Sequence, residues 1–287
     1  SQWSIEQREN IDMMISNITL NKFQELCPQA DKNIKYAKDT FLMMLSIARN
    51  NIYSEKFSND DGEIIFYVTN KKLTEYMGKG NSQKKIDKIN KYVKMLIYHD
   101  LIRILDNDQI PKGLLKNALK YTNGNRNRVN FYAIPSWVVQ QLKTIEDNGI
   151  RWKDKGYRIG GVSFDMFYRS EGFEVAASLY PQYKKKKNEY GEIVNRTTTK
   201  ASDERTLKIS EVILHCIQRK GYCTEKEVIY ILGNEYRYEV TETQIKRCLN
   251  EIMDCYGLKK VKANKVLKDQ FDIKSDGYPY IIIEDEM

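Results

Sequence analysis

Apolar residues spaced three or four positions apart predict a pair of helices in the first half of the chain. In the longer helix, which Ser82 is expected to cap, the apolar positions are Ile86, Ile89, Val93, Leu96 and Ile97. A shorter helix, with Thr69 as its expected N-cap, has Leu73 and Met77 on its apolar side. Gly78 and Gly80 separate the two helices, because glycine readily adopts the left-handed backbone conformations of a tight turn.

One helix and three strands are predicted around this pair of helices. An apolar helix over residues 40–48 precedes it, the run EIIFYV at 63–68 predicts a strand, and a second strand follows at 103–105. After a long excursion over residues 106–128 the chain returns as a third strand at 129–134. A helix, a strand, a helix-turn-helix and two strands joined by a wing form a winged-helix domain.

The second half of the chain repeats this outline. Apolar spacing at 207–217 and 245–256, with capping residues at Thr224 and Thr241, predicts three more helices. The segments 258–263 and 280–283 are the predicted wing strands. The predicted fold class is therefore mainly α with small β wings (α+β), with two winged-helix domains in tandem.

The predicted boundaries are an N-terminal helical extension at 1–38, the first winged-helix domain with a long wing and C-terminal additions at 39–180, a basic flexible linker at 181–204, and the second winged-helix domain at 205–287. The extension holds a helix from Ser4, its expected N-cap, to Cys27. This helix either packs on the first domain or forms a homodimer. Residues 158–173 are interpreted as a small hairpin or a buttress for the first domain.

The positive charge is concentrated in the first half. The 287 residues have a net charge of +8, and residues 70–130 hold eleven Lys and three Arg against five acidic residues. Residues 205–287 are neutral, with fourteen basic and fourteen acidic residues. A basic field around a helix that fits a DNA groove indicates a polyphosphate partner. The alternative is an ordinary solvated basic face on a three-helix unit.

The candidate DNA-binding residues lie on the polar faces of the predicted helices and in the first wing. In the first domain, Gln83, Lys84, Lys85 and Lys88 are expected to read or flank the major groove, Lys91 and Lys94 to contact phosphates, and Arg126 and Arg128 to serve the wing. In the second domain, Gln244, Lys246 and Arg247 are expected to read another half-site. The neutral charge of that domain leaves a protein partner, such as a replication protein, as the alternative.

The chain offers little for catalysis. It has two histidines, His99 and His215, and no P-loop motif to bind nucleotide phosphates. Six residues separate Cys216 from Cys223 and Cys248 from Cys255, more than the usual gap between paired zinc ligands. No catalytic residue, metal or cofactor is therefore predicted. The odd cysteine count and the lack of a long apolar run favour a cytoplasmic protein with no membrane partner.

The segment from Asp39 to Ile134 resembles the winged-helix domain of plasmid and phage replication initiators. The shared layout is an apolar first helix, then DGEIIFYVTNKKLTEYMG, then NSQKKIDKINKYVKMLIYHDLIRI. The long wing and the long basic linker depart from that family. The resemblance covers about a third of the chain, and it implies binding to repeated origin sequences and recruitment of the replication machinery.

The expected function is sequence-specific binding of double-stranded DNA, as a replication initiator of a plasmid, phage or other mobile element. A transcriptional regulator shares the same layout and is the first alternative. A winged-helix protein–protein adaptor is the second.

Overall fold

The chain folds into two compact units, each mostly helical with one small antiparallel sheet. The computed structural model describes residues 1–52, 54–123, 129–186, 189 and 199–286. Unit 1 consists of Ser1–Lys155 and Ala177–Lys185, and unit 2 of Gly156–Ala176 and Lys186–Met287.

Unit 1 contains the first three strands and most of the first ten helices. Their bounds are α1 Gln2–Thr19, α2 Phe23–Leu26, α3 Pro28–Asn33, α4 Lys38–Asn50, β1 Ile65–Val68, α5 Asn70–Tyr76, α6 Gln83–Tyr98, β2 Arg103–Ile104, α7 Lys112–Tyr121, β3 Asn130–Ala133 and α8 Val139–Asp154. The predicted order of a helix, a strand, two helices and two strands runs from α4 to β3.

The strand β3 lies at the centre of the sheet in unit 1, antiparallel to both β1 and β2. Phe66 and Tyr132 are opposite each other on one face, with ring centroids 5.5 Å apart. On the other face, Ile65 and Phe131 belong to a buried cluster that includes Leu114 of α7. The helix α7, inserted between β2 and β3, therefore covers the face of the sheet that Phe66 does not.

The N-terminal extension packs within unit 1. The indole Nε1 of Trp3 donates to the carbonyl of Gly62 at 2.8 Å, and the buried ring of Phe23 stacks on Trp137 at 5.1 Å. The helix α1 begins at Gln2 and is capped by Ser1. The expectation that Ser4 caps it is wrong, because the Ser4 amide is the donor to the Ser1 hydroxyl.

Two features bring α3 and α8 together. A Cβ added at Gly149 would lie 2.7 Å from the backbone nitrogen of Ala30, so glycine permits the close approach of the two helices. The Glu146 carboxylate accepts hydrogen bonds from the backbone amides of Gln29 and Ala30 at 2.8–3.0 Å. Glu146 thereby satisfies two of the free amides at the start of α3.

Unit 2 repeats the order of elements found in unit 1. The helix α9 Phe164–Glu171 belongs to unit 2, and α10 Phe173–Leu179 begins there but has its last three residues in unit 1. The further elements of unit 2 are α11 Lys200–Lys220, β4 Tyr222–Cys223, α12 Glu225–Asn234, α13 Glu242–Tyr256, β5 Leu258–Lys262, α14 Lys265–Gln270 and β6 Tyr280–Glu284. The expected caps are confirmed, because the hydroxyls of Thr224 and Thr241 each accept an amide in a capping box.

The sheet of unit 2 has the same arrangement, with the last strand β6 between β4 and β5. Ile282 faces the helical core formed with α11 and α13. Ile281 and Ile283 face the other way and are covered by Leu267 and Phe271, in and just after α14. Like α7 in unit 1, α14 is inserted between the two wing strands and closes the second face of its sheet.

The interpretation of residues 158–173 is wrong in its secondary structure. They form a 3-10 helix at Ile159–Gly161 and the helix α9, and they belong to unit 2. The Arg158 amide donates to the Cys255 carbonyl at 2.8 Å. The alternating pattern after Val162 does not form a strand, because the Ser163 hydroxyl accepts the Met166 amide and starts a helix.

The predicted linker is partly helical. Residues 181–186 form a 3-10 helix, and α11 begins at Lys200 with Thr199 as its cap. Lys184 forms an ion pair with Asp106 at 2.5 Å. The segments 187–188 and 190–198 lie outside the described residues.

Candidate nucleic-acid interface

The start of α6 presents a cluster of exposed polar side chains. The expected DNA-reading residues Gln83, Lys84, Lys85 and Lys88 are all exposed there. The turn before the helix includes Gly78 and Gly80, both with positive φ. Ser82 is the N-cap residue of α6, as expected, but its side chain accepts no hydrogen bond from the helix. The first turn contains no acidic residue, so no side chain of that turn offsets the positive end of the helix dipole.

The exposed cluster has limited internal pairing. The Gln83 amide donates to Asp87 at 2.7 Å, and the Lys88 ammonium lies 6.0 Å from the Tyr92 ring centroid. At this end of the helix Lys84, Lys85 and Lys88 outnumber Asp87, which gives a local net charge of +2. An anion that approaches here therefore meets a net positive potential.

The assignment of Lys94 to phosphate contact is wrong. Its side chain is buried, and its Nζ donates to the carbonyl of Leu179 at 2.6 Å. The Tyr180 ring centroid lies 4.5 Å from the same nitrogen. Burial lowers the pKa of Lys94 to about 7. Leu179 and Tyr180 cover this part of α6, so Lys94 lies inside unit 1, whereas Lys91 is only half-buried.

Three asparagines fix the position of α6, and sequence reasoning missed them. The Asn70 amide donates to Asn90 at 3.2 Å, and Asn130 donates to Asn70 at 3.3 Å. They connect the start of α5, the middle of α6 and the central strand β3. Because the partners are twenty and sixty residues apart, no local pattern reveals the link.

The wing of unit 1 adds three lysines that were not singled out from the sequence. Lys112, Lys116 and Lys120 are exposed at four-residue intervals along α7, which has no acidic residue. The wing candidates Arg126 and Arg128 lie outside the described residues.

The third helix of unit 2 differs from α6 in charge. Two basic and three acidic residues give α13 a net charge of −1. The Gln244 side chain accepts from the Thr241 amide at 3.0 Å and so completes the capping box. Lys246 lies 3.7 Å from Glu242, and Arg247 is exposed. This helix therefore offers an anion much less attraction than α6.

Among the described residues, the histidines and cysteines are either buried within the fold or lie apart from one another. His99 is buried, with its ring nitrogens against the Met95 carbonyl and the Asn33 amide, and burial lowers its pKa to about 4. His215 is exposed. All five cysteines are buried and free, and burial raises the pKa of the Cys27 thiol to about 12. No group of three His, Cys, Asp or Glu residues suited to a metal occurs in the part of the chain that the structure describes.

Comparison with known proteins gives no relative: no family model, curated protein or solved structure matches the chain. Among the described residues, every helix is too short or too polar to cross a bilayer.

Proposed function

We propose that this protein consists of two winged-helix domains in tandem and binds double-stranded DNA sequence-specifically through unit 1. The observation that carries the proposal is the exposed cluster of Gln83, Lys84, Lys85 and Lys88 at the N-terminal end of α6. Long polar side chains at that end of the second helix of a helix-turn-helix are suited to the base edges and phosphates of a major groove.

The architecture supports this reading. Each unit has the strand order first, third, second that a winged helix requires, and an inserted segment between its last two strands. The three-asparagine link joins α6 to α5 and, through Asn70, to β3. A rigid reading helix reduces the ordering that DNA binding would otherwise require.

Within this function, we favour a replication initiator of a mobile element that binds repeated sites. Tandem domains of one layout can occupy neighbouring sites, and linkage raises the effective concentration of the second contact. A transcriptional regulator is distinguished by a preferred site that overlaps a promoter. The net charge of −1 on α13 favours a protein partner for that helix. Unit 2 would then act as a protein–protein adaptor while unit 1 binds DNA.

The test is binding of the full chain to duplex DNA across a salt series, followed by selection of preferred sequences. The variant Lys84→Glu/Lys85→Glu/Lys88→Glu is compared with Lys22→Glu/Lys32→Glu/Lys35→Glu, which makes the same charge change at exposed lysines elsewhere in unit 1. We expect only the first variant to lose most of its affinity. Its log–log salt slope should fall by about 0.9 for each phosphate that the variant no longer neutralises.

Equal losses in the two variants would refute the assignment of the site to α6. Absence of duplex binding by the unmodified protein at low salt would refute the DNA-binding function and leave the adaptor. Selection of one repeated motif would support the initiator over a non-specific binder.

A further inference from the structure

The wing of unit 2 combines positive charge with exposed aromatic rings. Between Lys259 and Lys274 there are six lysines and two aspartates, a net charge of +4. The tyrosines Tyr278 and Tyr280, at the end of the same wing, are 55% and 61% exposed. Residues 205–287 are neutral overall, and their positive charge is concentrated in the wing and not in α13.

The tyrosines are held on a rigid support. Phe271 and Leu267 anchor α14 against the sheet. The Lys268 ammonium donates to the carbonyls of Ser275 and Gly277 at 2.5 and 2.8 Å, which fixes the turn just before Tyr278. Gly277, at φ +83°, reverses the chain there.

The second tyrosine is fixed by the ladder of the sheet. Tyr280, the first residue of β6, is paired with Lys262, the last residue of β5. The Ala263 amide donates to the Pro279 carbonyl at 2.8 Å. The Lys260 ammonium lies 5.4 Å from the Tyr280 ring centroid and also pairs with Glu225. Lys262 and Lys265 are exposed.

Exposed aromatic rings beside lysines can bind a class of ligand that surface lysines alone do not select. Rings held in place beside lysines can stack on bases while the ammonium groups neutralise the backbone, which is how proteins bind single-stranded nucleic acid. Paired bases are already stacked on their neighbours and offer no free face. The two exposed rings therefore favour an unpaired strand over a duplex.

We propose that the wing of unit 2 is a single-stranded DNA-binding surface, with Tyr278 and Tyr280 stacking on unpaired bases and Lys262 and Lys265 contacting phosphates. The choice of DNA over RNA rests on the proposed function, which places a DNA duplex on unit 1. The surface is distinct from α6 and from the α13 candidates.

The test measures how strongly binding depends on the bases. The full chain is titrated against fluorescent oligothymidylate of about 20 nucleotides, which exceeds the usual site of one small domain, and against an abasic strand of equal length. Any contribution of the α6 lysines cancels in the ratio of the two affinities, because both strands have the same phosphates. The unmodified protein is expected to bind oligothymidylate at least tenfold more tightly, in line with ~1–3 kcal/mol per stacked base.

Two variants and one control assign the effect to the wing. Tyr278→Leu/Tyr280→Leu should reduce the affinity ratio to about one, whereas Tyr278→Phe/Tyr280→Phe should retain it because phenylalanine still stacks. The control Tyr230→Leu/Tyr236→Leu removes two equally exposed tyrosines of unit 2 outside the wing and should leave the ratio unchanged. All four positions are exposed, so circular dichroism should report an intact fold.

An affinity ratio near one for the unmodified protein would overturn the proposal, and so would an equal loss in the control. Base-dependent binding of oligouridylate as tight as that of oligothymidylate would overturn the choice of DNA. Duplex binding through Lys84, Lys85 and Lys88 is measured separately, so failure of either hypothesis leaves the result for the other readable.

Discussion

Burial of Lys94 predicts a stability of unit 1 that rises with pH. The unfolded chain holds a proton on this amine up to pH about 10.5, whereas the folded amine has a pKa of about 7. Between these values the unfolded state binds one more proton, so the free energy of unfolding increases by about 1.4 kcal/mol per pH unit. This contribution is lost as pH falls to the folded pKa.

From about pH 7 to about pH 8.5 the contribution of Lys94 is therefore about 2 kcal/mol. This is an upper bound, because the Leu179 carbonyl and the Tyr180 ring both favour the protonated amine and reduce the shift. The variant Lys94→Met replaces the amine by an unbranched apolar chain that suits a buried site. It removes the titration but also leaves the Leu179 carbonyl without its donor, at a cost of about 1–3 kcal/mol.

The test therefore uses the change with pH of the difference in unfolding free energy between the two proteins, and not the size of that difference at one pH. Urea denaturation of the protein and of Lys94→Met at several pH values gives the difference in unfolding free energy, from which other titrating groups cancel. The protein should gain stability relative to the variant as pH rises. Lys88→Met, at an exposed position of the same helix, is the matched control. Parallel pH curves for the protein and Lys94→Met would show that the buried amine remains charged, which contradicts a folded pKa of about 7.

Two further predictions concern close packing and capping. Gly161→Ala should destabilise unit 2 by about 3 kcal/mol, because the new Cβ would lie 2.1 Å from the Cα of Cys255; Gly233→Ala, in α12 with nothing within 4 Å, should be neutral or stabilising by up to ~1 kcal/mol. Chemical denaturation measures both, and a similar loss in the two variants would contradict the packing argument. Glu146→Ala should cost about 1–3 kcal/mol, because the Ala30 amide and its neighbour lose their acceptor. Thermal unfolding tests this, and an unchanged midpoint would show that water replaces the carboxylate.

Local patterns predicted α4, α5 and α6, whereas the single helix expected from Ser4 to Cys27 is wrong, because α1 ends at Thr19 and the short helices α2 and α3 follow it. The apolar spacing of α6 and the turn at Gly78 and Gly80 depend on residues close in sequence, and Thr69 caps α5 as expected, accepting the Lys72 amide. The strands β1, β2, β3, β5 and β6 were also placed within a few residues, whereas β4 was not predicted. Such features follow from helical period and backbone preference, which a sequence displays directly.

Contacts between residues far apart in sequence explain the features that were predicted wrongly or not predicted. Lys94 lies on the polar side of its helix by spacing, but Leu179, 85 residues later, covers it. Residues 162–168 alternate like a strand, but residues 158–173 form a 3-10 helix and α9, and the Arg158 amide bonds to the Cys255 carbonyl, almost a hundred residues later. The wing tyrosines of unit 2 were not singled out, since their exposure and fixed geometry depend on α14 and Lys268. The Lys-rich run from Lys259 to Lys274 was the available signal.

In both units the strand at the centre of the sheet is the last one that the ribosome makes. β1 and β2 each pair with β3 and not with each other, and β4 and β5 depend in the same way on β6. A nascent chain therefore carries two partnerless strands until the whole wing has emerged. Neither sheet can begin to form by a local hairpin, so each unit is expected to fold late and cooperatively during translation. A truncation just before Tyr280 would leave the sheet of unit 2 without any hydrogen-bonded pair.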